Sequence, residues 1–68
     1  MSSRTIGFVQ WFNRDAGYGF VIPIGGNDPV YFEEQDIEGP CSGLSEDQQI
    51  SFVLELTATR FVARQIRT

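Results

Sequence analysis

Along the chain, apolar residues recur with a period of two in short runs, and polar or glycine-rich breaks separate the runs. Residues 6–12, IGFVQWF, are rich in β-branched and aromatic side chains and predict a first strand. Residues 18–22, YGFVI, predict a second, ended by Pro23. The polar NRDAG at 13–17 lies between them and makes the pair an antiparallel hairpin. After a turn at 25–29, GGNDP, the run VYF at 30–32 predicts a short third strand. Residues 33–48 have only Ile37, Cys41 and Leu44 as apolar anchors. They read as a long loop, with room for one helical turn near 34–37. QISFVLEL at 49–56 alternates, so that Ile50, Phe52, Leu54 and Leu56 share one face. Residues 57–60 form a turn, and FVARQIR closes the chain as a fifth strand.

Five short strands in 68 residues leave edges to protect, and closure into a barrel removes them. The expected fold is all-β, a five-stranded antiparallel barrel of the oligonucleotide-binding type, as one domain over residues 1–68. Its interior is nearly filled by Val9, Val21, Val30, Phe32, Ile37, Leu44, Ile50, Phe52, Leu54 and Ile66. In the first strand Val9 and Trp11 alternate with Phe8, Gln10 and Phe12. In the last strand, parity puts either Arg64 or Ala63 inside. Tyr18, Phe20 and Tyr31 are then left on the outside of neighbouring strands, with Phe8, Trp11 and Phe12 close by. Seven of the nine aromatic residues fall within residues 8–32, and Gly17 and Gly19 interleave them. Glycine inside a strand often marks a close approach to the backbone, so these two suggest a bare sheet surface. Rings on such a surface make a platform on which bases stack. The ordinary alternative is that they are core or cross-strand pairs.

Charge qualifies that picture. The net charge is −4, and it is unevenly placed: residues 1–32 sum to zero, residues 33–55 to −7 and the last thirteen to +3. There is no lysine, so every cation is an arginine, which stacks on rings as well as pairing with phosphate. A single cysteine, Cys41, forms no intramolecular disulfide and, without histidine, makes no zinc site. The N-terminal MSSRTIG lacks the apolar run of a signal peptide, and no stretch approaches the ~18 apolar residues of a membrane span. A cytoplasmic protein without membrane contact and without a cofactor is expected. Catalysis is not: Cys41 has no evident base, and Glu33 and Glu34 point to opposite faces of a strand.

The segments GFVQWFN and GYGFV, in that order and spacing, resemble the start of the bacterial cold-shock domain. That family reads Gly-Lys-Val-Lys-Trp-Phe-Asn and then Lys-Gly-Phe-Gly-Phe-Ile. Asp28, Val30, Ile37, Leu44, Ser51 and Phe52 continue the match, which fades after Leu56. The resemblance implies a five-stranded barrel that binds single-stranded RNA and DNA through surface aromatics. By position it implies stacking roles for Trp11, Tyr18 and Phe20, and for Tyr31 if Pro29 is a one-residue insertion. It implies a base contact for Asp28 and places Phe12 and Asn13 at the edge of the same surface.

The departures concern charge. Phe8, Gln10 and Ala16 stand where the family has lysines, and Glu33 and Glu34 where it has a histidine and a phenylalanine. GPCSG replaces the family's loop aromatic, and Arg60-Phe61 replaces the usual Gly-Pro before the last strand. Lost cations lower counterion-release affinity, and carboxylates beside the site repel phosphate. The expected function is still single-stranded nucleic-acid binding with little sequence preference, in an RNA-chaperone or transcription or translation regulatory role. Trp11, Tyr18, Phe20 and Tyr31 stack bases. Gln10, Asn13 and Asp28 bond base edges. Arg60, beside Phe61, supplies cation, with Arg14 and Arg64 as further sources. The alternative is a protein-interaction module, a homodimer included, in which Phe8 makes the face apolar and Glu33 and Glu34 make its rim acidic.

Overall fold

The computed structural model describes residues 4–26, 28–38 and 44–68. Cys41 and the GPCSG segment lie outside the described residues, as does Asn27 of the turn at 25–29. The chain forms β1 (Thr5–Asn13), β2 (Tyr18–Pro23), β3 (Val30–Glu33), a single 3₁₀ turn (Glu34–Asp36), β4 (Gln49–Leu56) and β5 (Phe61–Arg67). They close into a barrel in the order β1-β2-β3-β5-β4.

This is the expected five-stranded barrel, antiparallel except at one seam. Four pairings are antiparallel, but β3 and β5 run parallel, with Tyr31 opposite Val62. The reason is arithmetic: directions cannot alternate all the way round a closed ring with an odd number of strands. A parallel bridge between Ile37 and Ile66 and a hydrogen bond from Glu38 N to Ile66 O (2.8 Å) prolong this seam.

The core comprises Val9, Val21, Val30, Phe32, Leu44, Ile50, Phe52, Ala63 and Ile66, with Phe12 and Ile37 packed against it. Leu54 departs from expectation at 40% exposed, and Leu56 is more exposed still. Parity is not at fault. β4 pairs with β1 only as far as Phe52, so beyond that point the β4–β5 ribbon projects past the barrel wall. The open choice in β5 resolves to Ala63. Gln65, at φ 52, is an extra residue between the pairs Ser51–Arg67 and Val53–Arg64. This bulge lets Ala63 and Ile66, three positions apart, both face inward.

A charge pair fastens the seam. Asp36 is buried at the end of the 3₁₀ turn, where it accepts from Arg64 Nη1 and from Glu33 N, each at 2.9 Å. The hydrogen bond to Asp36 raises the Arg64 pKa from its ordinary value. Arg64, read from the sequence as a further source of cation, is therefore engaged at the seam.

The glycines also have different reasons from those expected. Gly17 sits at φ +78, which its turn requires, and donates to Asn13 O at 2.8 Å. Gly19 is buried. A Cβ there would lie 2.2 Å from Trp11 O and 2.9 Å from both Phe12 Cα and the Phe32 ring. Its bareness serves the interior, not an approaching ligand. Gly19→Ala is expected to destabilise the barrel by about 3 kcal/mol, the upper range for overpacking, because two of the three obstacles are backbone. A urea unfolding curve checks this, and an unchanged midpoint would contradict the packing described.

Candidate nucleic-acid interface

Strict alternation in β1 puts Trp11 inside with Val9, and the structure does not. Val9 pairs with Val21, but Trp11 pairs with Phe20, so Gln10 is an extra residue in β1. The bulge reverses the parity of the remainder of the strand. Trp11 turns outward beside Phe20. Phe12 turns inward opposite Gly19 and stacks on Phe32, with ring centroids 5.5 Å apart.

Four rings meet on the outer face of β1, β2 and β3. Trp11 lies 5.4 Å from Tyr18 and 6.4 Å from Phe20, centroid to centroid. Tyr31 lies 5.8 Å from Tyr18 and 5.9 Å from Phe20. Tyr18 and Phe20 are 6.3 Å apart and nearly perpendicular. Edge-to-face and offset arrangements of this kind are the favoured geometries of aromatic pairs. Trp11 is 37% exposed, and Tyr18, Phe20 and Tyr31 are half-buried, so each ring keeps area for a ligand.

The other sequence-derived candidates are more scattered. Gln10 is exposed on the β1 bulge, and Asp28 is exposed before β3. Asn13 accepts from Ala16 N through Oδ1 at 3.0 Å, so its side chain is used in the β1–β2 turn. Phe61 is half exposed, on the projecting ribbon opposite Leu56. Arg60 reaches the platform: its guanidinium carbon lies 4.0 Å from the centroid of Tyr31.

The remaining arginines are mostly engaged. Arg64 pairs with Asp36 and Glu55, and Arg67 with Glu38. Arg4 donates to Ser51 Oγ, Ser51 O and Gln65 O. Acid lies at the opposite rim. Glu33 faces Tyr18 across the β2–β3 ladder, and a shallow hollow of about 340 Å³ is lined by Gly17, Glu33, Glu34 and Gln35.

One feature of this face escaped the sequence. Phe8 pairs with Ile22, and Ile24 N donates to Ile6 O at 2.9 Å. Ile6, Phe8, Ile22 and Ile24 thus extend the ring platform as an apolar strip. The two-residue step from Phe8 back to Ile6 was the available signal.

The family model for the cold-shock DNA-binding domain matches residues 5–68. The chain belongs to the cold-shock domain family. Its members bind nucleic acid. Cold shock protein CapA of Pseudomonas fragi is 43% identical over 56 residues, covering 81% of this chain and 88% of that one. The major cold shock protein CspA of Pseudomonas aeruginosa is 42% identical over 55 residues, covering 79% of this chain and 78% of its own. Among solved structures, drosophila Unr CSD456 superposes on 96% of this chain with a TM-score of 0.81 and 15% identity. This chain spans 26% of that one, and the likeness speaks to fold alone. No helix among the described residues is long and apolar enough to cross a membrane.

On this cold-shock barrel the outer rings are surplus to the core, and the charge around them is asymmetric. Tyr31 feels both sides. Burial of its hydroxyl pushes its pKa above 10.0 and the nearby Glu33 carboxylate adds to that, while Arg60 opposes. Removing the Glu33 charge should therefore lower it. In a spectrophotometric titration on a Tyr18→Phe background, Glu33→Gln is expected to move the Tyr31 transition to lower pH. An unmoved Tyr31 transition would show that Glu33 does not act on it.

Proposed function

We propose that this protein binds single-stranded RNA or DNA by stacking unpaired bases on Trp11, Tyr18, Phe20 and Tyr31. One observation carries the reading: four mutually packed rings face outward from a barrel whose interior is filled without them. Stacking is tolerant of sequence, because every base has a π-face. Gln10 and Asp28 stand at the margins for base edges, and Arg60, with Arg14, supplies charge. The role is binding rather than catalysis, suited to an RNA chaperone or a regulator of transcription or translation in the cytoplasm.

Affinity is expected to be about micromolar or weaker, because few cations contribute counterion release. Titration of oligo-dT and oligo-U against Trp11 fluorescence tests the proposal. Tyr18→Ala and Phe20→Ala should each cost about 1–3 kcal/mol of binding. With one or two phosphates neutralised, log K should fall against log salt with a slope of roughly −0.7 to −1.4. An unquenched Trp11 at high protein concentration and low salt removes the reading.

Self-association is a second reading, favoured by the apolar strip of Ile6, Phe8, Ile22 and Ile24 beside the rings. A second copy of this chain would cover it. Sedimentation at several concentrations is expected to show a dimer that Phe8→Lys dissolves. A monomer throughout, with oligonucleotide bound, leaves only the first reading.

A further inference from the structure

The platform is not equally open at every ring. Arg60 lies over one face of Tyr31 at 4.0 Å, and Tyr18 packs beside the same ring, nearly parallel to it. A base arriving at this end meets a guanidinium before it meets a phenol.

Three observations make that guanidinium more than a passing side chain. Its backbone is fixed. Thr57 Oγ1 donates to Arg60 O at 2.7 Å and accepts from Arg60 N at 3.2 Å, and Thr57 N donates to Arg60 O at 2.8 Å. Its place is set by the parallel seam, which puts Val62 opposite Tyr31 and so brings residue 60 above the ring. Its charge is available, since among the described residues the ion pairs go to Arg64 and Arg67, not to Arg60. A guanidinium is planar, weakly hydrated and able to stack on both faces, which an ammonium is not.

We infer that Arg60, seated on Tyr31, is itself a base-stacking plane of this interface. A nucleobase of the single strand lies on the outward face of the guanidinium, and the guanidinium N–H edge donates to the neighbouring phosphate. Tyr31 acts beneath it as a positioning residue, holding the plane flat through the cation–π contact. The site joins stacking and phosphate contact in one side chain, on a surface where other cations are scarce. This inference rests on the nucleic-acid reading above and reassigns the part Tyr31 plays in it.

The test is oligo-dT and oligo-U titration at several salt concentrations, read by Trp11 fluorescence, on the intact chain and on Arg60→Lys, Arg60→Ala and Tyr31→Leu. Arg60→Lys keeps the charge and loses the plane. It is expected to keep the salt slope but weaken binding about fivefold, the order of an exposed cation–π contact. Arg60→Ala loses both, so the slope should also become shallower by about 0.7. Tyr31→Leu should resemble Arg60→Lys, with weaker binding and an unchanged slope. Urea midpoints within error of the parent for the Arg60 variants separate these effects from folding. Lysine binding as well as arginine at every salt overturns the inference, because a point charge then suffices. So does tighter binding by Arg60→Ala, because Arg60 would then be a cover over a bare ring. In both cases wild-type quenching still stands and the nucleic-acid reading survives. If wild type is not quenched at all, that reading fails and this one falls with it.

Discussion

The outer surface of this protein follows from closing an odd number of strands into a ring. One pairing has to be parallel, and it falls between β3 and β5. That ladder is short, with Tyr31 opposite Val62 and a single bridge between Ile37 and Ile66 beyond it. Side chains reinforce what the backbone leaves thin. Asp36 and Arg64 pair across it at 2.9 Å, and Arg67 meets Glu38. Breaking the Asp36 pair would leave a buried carboxylate without its cation, which is why such pairs are costly to disrupt even when they add little outright.

The same seam settles where charge is available. The acidic middle of the chain draws the basic end onto itself, so Arg64 and Arg67 are paired with carboxylates at the closure. Arg60 stands just ahead of β5, outside those pairs, and falls over Tyr31. The interface is therefore rich in π-surface and poor in cation. On the proposed reading its affinity comes from stacking, with salt dependence correspondingly shallow.

Much of this was legible along the chain. The period-two runs located all five strands, and Asn13–Gly17 located the first turn. Nine of the ten expected core side chains are buried in the core or packed against it; Leu54 is the exception. The outward rings Tyr18, Phe20 and Tyr31 followed from the same alternation. What failed were inferences that assumed the alternation was unbroken or the wall complete. Trp11 and Phe12 exchange sides after the extra residue Gln10, and Ala63 and Ile66 share a side across Gln65. Nothing in the identities of Gln10 and Gln65 announces a bulge. Leu54 has a core residue's parity and lies where β4 has lost its neighbour β1.

The sequence by itself determined strand number, most of the core, the surplus of rings and the shortage of cations. These are properties of local pattern and composition, and the period of two carries them wherever the ladder is regular. Only the tertiary structure decided that the Phe32 ring is among the atoms that crowd Gly19, that Arg64 is occupied by Asp36, and that Arg60 rests on Tyr31. Each of those contacts joins residues 13 to 29 positions apart across strands, two of them over the parallel seam. Their register is fixed by bulges and by barrel closure, and no local stretch of the chain encodes either one.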